Sequence, residues 1–250
     1  MDDELLQPLP GITVSIGPRA VRVSSREPLA VLSSAVAGGG YGRAREILNL
    51  HVDDKYDGEH PEDDLAAVAA ELGAETPFVG LMTAAYTQFA RCAVETLGDL
   101  KVAAVVSIGL SNTTSAGVTP PIGADAAGEA GPEAGPADPR PAATPGPGTI
   151  NVILLVDGSL TPAAMVNAVI TATEAKTMTL GAWDVKTPEG DAASGTSTDT
   201  VVVACTGRGE ELCYAGPATP VGWLAARAVR AAMGRICEEK IARDGGRDGW

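Results

Sequence analysis

Three runs in this chain are apolar almost without interruption: LKVAAVVSIGL at 100–110, INVILLVDG at 150–158 and TVVVAC at 200–205. β-Branched residues such as Val and Ile suit a pleated surface, and strands apolar on both faces are buried on both. The chain therefore needs covering layers on either side of these strands. Its aromatic content is 4%, so that core is built from Ala, Val, Leu and Ile; 45% hydrophobic residues in 250 are enough to build it.

The remaining segments supply more strands and the helices. GITVSI and RAVRVSS read as short strands, the second alternating at Val21 and Val23. LAVLSSAV follows and ends in three glycines, and REILNLHV reads as a further strand. HPEDDLAAVAAELGAE is a helix, with Pro61 near its start, acids in its first turn and Gly73 as its stop. PFVGLMTAAYTQFARCAVETLGD is mixed, a strand followed by loop or helix. Thr161 can cap a helix that has Pro162 in its first position, PAAMVNAVITATEAKTMTL, and a last helix runs from Thr219 and Pro220 to about Ile241. Strands and helices alternate, so the expected class is α/β or layered α+β, a mixed β-sheet flanked by helices.

Between 119 and 148, 22 of 30 residues are Pro, Gly or Ala. That composition buries too little to offset its ordering entropy, so the segment is expected to be a disordered insert within a single domain spanning 1–250.

The net charge of −14 bears on partners. Nine acids against one base, Lys55, lie between 53 and 75, and no basic stripe exists to neutralise phosphates. Nucleic-acid binding is therefore not expected. An acidic surface also suits a salt-loving host or plain solubility. The cysteines, Cys92, Cys205, Cys213 and Cys237, form no CxxC pair, so no zinc site is expected and free thiols in a reducing cytoplasm fit best. The acidic start MDDELLQPLP does not read as a signal peptide, and no run is long enough to span a membrane.

No GxSxG elbow, P-loop or HExxH is present. His51 and His60 stand outside any catalytic motif, and each reads as a structural histidine. What remains is a set of small polar clusters at strand ends: GLMTAA at 80–85, GLSNTTSAG at 109–117, GTIN at 148–151, TATEAK at 171–176 and GTSTD at 195–199. Polar loops at strand termini are where layered α/β proteins bind ligands. Each cluster is also ordinary turn chemistry. On the helix, Asn167, Thr171 and Glu174 share a face, whereas Glu174 and Lys176 lie about 200° apart on the helical wheel and do not pair locally.

Taken together, GTINVILLVDGSLTPAAMVNAVITATEAKTMTLGAWD, SGTSTDTVVVAC and YAGPATPVGWLAARAV resemble the adenosylcobinamide amidohydrolase family. VLSSAVAGGG, REILNLHV, FVGLMTAA and VSIGLSN are similar to the same family, so the likeness covers about 28–234 apart from the insert. It implies hydrolysis of the amide joining aminopropanol to the corrin ring, giving adenosylcobyric acid and 1-amino-2-propanol. The corrinoid would be a small-molecule substrate that carries its own cobalt, with no resident cofactor; a homo-oligomer is compatible with this. The chain departs from the implied pattern in SNTTSAG, where Thr114 and Ser115 stand in place of an arginine.

A fainter likeness links GTINVILLVDGSLTPAAM and GTSTDTVVVA to the self-processing aminopeptidase/ornithine acetyltransferase group, and with it an αββα layering. That likeness implies Thr149 as a nucleophile freed by backbone cleavage, its own α-amine acting as base. Thr83, with nearby backbone amides, and Asn112 are the candidates for stabilising an oxyanion. Asn151, Asn167, Glu174, Lys176, Thr196, Ser197 and Asp199 are the candidate substrate contacts. Thr149 could instead bind substrate or simply open the strand. A non-catalytic corrinoid-binding module and a self-processing acyltransferase or aminopeptidase are the competing functions.

Overall fold

The computed structural model describes residues 3–121 and 148–244. The expected insert lies outside the described residues except at 119–121 and Gly148. The strands are β1 (Glu4–Leu9), β2 (Ile12–Ile16), β3 (Ala20–Ser33), β4 (Gly40–His51), β5 (Phe78–Thr83), β6 (Arg91–Leu97), β7 (Leu100–Ile108), β8 (Thr113–Thr114), β9 (Ile150–Asp157), β10 (Ser159–Leu160), β11 (Gly195–Thr196), β12 (Thr200–Cys205) and β13 (Glu211–Leu212). The helices are α1 (Pro61–Glu71), α2 (Pro162–Ala182) and α3 (Pro220–Asp244).

One nine-stranded mixed sheet holds the molecule together. Its path runs β1-β2-β3-β12-β9-β7-β6, and β4 pairs with both β3 and β5. The hinge of this sheet is β3. RAVRVSS, expected as a short strand, and the LAVLSS that follows form one strand of 14 residues. Its first half pairs with β2, its second half with β12, and β4 runs along its other edge. A register shift between Ser24 and Leu29 absorbs Pro28, which has no N–H for a ladder. β1 was not foreseen; it closes a hairpin onto β2.

The sheet bends back on itself, so two cores form. On one side of β7, β9 and β12, Val102, Ala104, Val106, Val152, Leu154 and Val156 pack with α2 and α3. On the other, Ala103, Val105, Ile153 and Leu155 pack with Ile47, Val79 and Leu81 of the β1–β5 half. This is why the three apolar runs are apolar on both faces. Helix α1 covers β5 from outside through Leu65 and Ala69. The layering is helix, strands, strands, helices, with the two strand layers continuous through β3.

At one end of the space between the strand layers, the inward residues turn polar together. Ile47 is followed on the same face by Asn49 and His51, Leu81 by Thr83, and Val105 by Ser107; Ile153 is preceded by Asn151 and Thr149. Asn49 Nδ2 donates to Ser107 Oγ at 2.8 Å, and Asn151 Nδ2 donates to Asn49 Oδ1 at 2.8 Å and Met82 O at 3.1 Å. A buried polar group costs free energy unless paired, so this linked set fixes how the two layers meet.

All four thiols are free. Burial pushes Cys92 up to about 11 and Cys205 and Cys237 up to about 12, while Cys213 is exposed. A maleimide at neutral pH is therefore expected to label Cys213 alone in the folded chain and all four thiols after denaturation, counted by intact mass.

Candidate active site

Thr149 enters β9 at the polar end of that inter-layer space and is buried. Its Oγ1 lies 2.7 Å from Thr198 Oγ1, and Thr198 Oγ1 donates to the carbonyl oxygen of Gly148 at 3.1 Å. A hydroxyl has one proton. With Thr198's proton on Gly148 O, Thr149 must be the donor within the pair. The hydroxyl of Thr149 is thus relayed through Thr198 to the carbonyl of the peptide bond preceding Thr149.

Gly148 is there because nothing larger fits. A Cβ at this position would sit 2.4 Å from Asn112 Oδ1, 2.8 Å from Ser111 N and 2.9 Å from Gly109 O. Gly148→Ala is expected to cost roughly 1–3 kcal/mol, as overpacking does, and to displace Thr149. The check is a lowered Tm together with a loss of turnover.

The parallel register explains why GTSTD meets GTIN. β12 pairs with β9 with Thr200 opposite Asn151, so the residues before β12 lie beside those before β9. Asp199 is the hub. Its carboxylate accepts from Ile150 N at 3.0 Å and Thr196 N at 3.1 Å, and it bonds the Thr196 hydroxyl and the Lys176 ammonium. Lys176 reaches in from α2, and both charged side chains are nearly buried, at 8% and 12% exposure. Gly195 leaves room for them, since a Cβ there would lie 2.3 Å from Asp199 Oδ2 and 2.6 Å from Lys176 Nζ. The third loop joins through Asn112 Nδ2, which donates to Ser197 Oγ at 2.9 Å, and through the short β8–β11 ladder. Thr114 pairs with Gly195 in that ladder, and the N–H of Ser115 donates to Thr119 Oγ1 at 2.8 Å; backbone pairing and a turn occupy the place where an arginine was implied.

The expected residues therefore divide. Thr149, Asn112, Lys176, Thr196, Ser197 and Asp199 form one bonded cluster, with Asn151 beneath it. Thr83 closes β5 opposite His51, and its Oγ1 accepts from Ala85 N at 3.0 Å. Asn167 is half-buried on α2 and Glu174 is exposed, while their face-mate Thr171 donates to Ala215 O at 2.9 Å. Sequence reading did not single out Thr198, Asn49 or Ser107, and it read His51 as structural. Thr198 sat inside the quoted GTSTD, where one hydroxyl of a turn resembles another.

A cavity of about 910 Å³ opens beside this cluster, lined by His51, Ala85, Tyr86, Gly109, Ser111 and, from α3, Ile236 among others. One of its lining residues, Gly109, packs against the peptide between Gly148 and Thr149. Gly109 N donates to Thr149 O at 3.0 Å, and a Cβ on Gly109 would lie 3.2 Å from Gly148 Cα and 3.3 Å from Thr149 N.

The profile described as adenosylcobinamide amidohydrolase matches residues 11–244. The chain belongs to this family. A Methanosarcina mazei protein named adenosylcobinamide amidohydrolase is 29% identical over 193 residues, 74% of this chain and 78% of that one. A Halobacterium salinarum protein of the same name is 39% identical over 112 residues, 43% of this chain and 46% of that one. Among solved structures, the PH0078 protein from Pyrococcus horikoshii OT3 is similar over 94% of this chain and 80% of its own, at 12% identity and a TM-score of 0.43. This member of the adenosylcobinamide amidohydrolase family is an enzyme acting on an amide. No helix among its described residues is long and apolar enough to cross a membrane.

Proposed function

We propose that the enzyme hydrolyses the amide linking aminopropanol to the corrin ring of adenosylcobinamide, releasing adenosylcobyric acid and 1-amino-2-propanol, with Thr149 as nucleophile. One observation carries the reading. The buried Thr149 hydroxyl is in a relay whose far end is the carbonyl of its own preceding peptide, and that peptide packs against Gly109, which lines the cavity.

In the intact chain the hydroxyl's partner is another hydroxyl, not a base. Backbone cleavage supplies one. Thr149 Oγ attacks the Gly148 carbonyl carbon, the C–N bond breaks and the nitrogen takes the proton. Thr198 donates to the oxygen on which charge develops. Water then hydrolyses the ester, leaving a Gly148 carboxylate and a free Thr149 amine. An α-amine of pKa about 7.7–8.0 is a suitable base at working pH. The same hydroxyl then attacks the substrate amide, the amine's proton leaves with 1-amino-2-propanol, and water releases the corrinoid acid. Lys176 and Asp199 hold the loop, and Thr83 and Asn112 are the donors assigned to the substrate oxyanion in this proposal.

The test is incubation of purified enzyme with adenosylcobinamide, followed by chromatography for both products. Equimolar adenosylcobyric acid and 1-amino-2-propanol support the reading, and unchanged adenosylcobinamide overturns it. Because no resident cofactor takes part in these steps, kcat is expected to be unchanged after dialysis against a chelator.

A further inference from the structure

We propose that His51 is a cobalt ligand: its Nε2 occupies the lower axial position of the corrinoid while the scissile side chain is cleaved. This rests on the reading of a corrinoid substrate and adds how that substrate is held.

The argument begins with the ring's tautomer. His51 Nδ1 lies 3.0 Å from Ala85 O. A carbonyl oxygen only accepts, so Nδ1 carries the proton and donates. In the neutral ring Nε2 then holds a lone pair. Nε2 has no hydrogen-bond partner among the described residues, although His51 lines the cavity. A ring nitrogen fixed by a backbone carbonyl, with the other left open, is the usual arrangement of a metal-ligating histidine. The Tyr86 ring, 5.3 Å away between centroids and tilted by 34°, supports the imidazole from one side.

The cavity has room around His51 for part of such a ligand, and among the described residues His51 is its one nitrogen donor suited to cobalt. At about 910 Å³ it lies at the upper end of small-molecule sites. Its other donors are less suited to a cobalt corrinoid. Asp53 and Asp54 offer hard carboxylate oxygens, and Glu239 is held by Arg91. The wall runs from His51 through Ala85, whose Cβ lies 3.1 Å from a Cβ built on Gly109, to Gly109. Cobalt held at His51 therefore places the corrin in the cavity whose wall includes Gly109, the residue packed against the Gly148–Thr149 peptide. The step is a ligand exchange. The Nε2 lone pair takes the position of an axial water or an open site, the water leaves, and the bond from cobalt to the adenosyl carbon is untouched.

The probe is cob(II)inamide bound to the full-length enzyme, read by electron paramagnetic resonance. The expected result is superhyperfine splitting from one axial nitrogen, with altered splitting when the protein's histidines carry the heavy nitrogen isotope. That second measurement needs no variant to fold. His51→Gly should lose the splitting, free imidazole should restore it, and His60→Ala should keep it. His51→Ala should weaken cobinamide binding by about tenfold or more, the scale on which ligation is perturbed in metal sites. Wild-type enzyme that binds cobinamide and turns over adenosylcobinamide without nitrogen splitting overturns this proposal alone. So does splitting that persists in a folded His51→Gly variant. Wild-type enzyme that neither binds nor turns over the corrinoid overturns the substrate reading and this proposal with it.

Discussion

Replacing Thr149 by alanine is expected to lower kcat by on the order of 10⁴-fold, the scale of losing a covalent nucleophile. The fold should survive, because the hydroxyl's one hydrogen bond is to Thr198 and is worth about 1 kcal/mol. Thr149→Ser keeps both the hydroxyl and the α-amine, and it should retain activity within about tenfold while Thr149→Ala does not. The two variants separate attack from binding. If Thr149 only held substrate, alanine would raise KM and leave kcat standing. The α-amine adds a pH signature: kcat should rise with pH through about 7.7–8.0, as the amine loses its proton and becomes a base.

The second large effect belongs to Lys176 and Asp199. Neither is a surface pair; each is nearly buried, and Asp199 also satisfies Ile150 N and Thr196 N. Lys176→Met leaves a buried carboxylate without its counter-charge, and the expected cost is about 3–5 kcal/mol. In a domain of this size that corresponds to a drop in Tm of roughly 10 °C. Asp199→Ala strands the ammonium and two backbone amides, one of them next to Thr149, so activity should fall with stability. The double variant Lys176→Met with Asp199→Leu removes both charges and should recover part of the lost stability. Thermal unfolding of the three variants decides this. Additive losses in the double variant would mean that the pair is not coupled.

Much of this was readable from residue patterns, and the exceptions have physical reasons. The buried strands announced themselves because β7, β9 and β12 are covered on both faces, which leaves no polar alternation to confuse with a helix. RAVRVSS read as a short strand by itself, yet β3 continues past Pro28 because a register shift takes up the proline. β1 escaped because ELLQPL is mostly exposed and gives little apolar signal. In the site, Lys176 stood out through its motif, and helical geometry correctly separated it from Glu174, which is exposed. Asn49 and Ser107 were passed over because single polar residues in apolar strands resemble surface positions. Only the pairing of β4 with β5 and of β7 with β9 shows that they face the same interior as Thr149. His51 read as structural, and its Nδ1 does make a structural bond; its other nitrogen needed the cavity to acquire meaning.

The most direct test of the central claim is the intact mass of the purified enzyme, alone and quenched during turnover of adenosylcobinamide. The account predicts a fragment ending at Gly148 and another beginning at Thr149. The second should carry a corrinoid acyl adduct during turnover, and Thr149→Ala should stay uncut and unmodified. A single uncut chain that turns over adenosylcobinamide at full rate would contradict it.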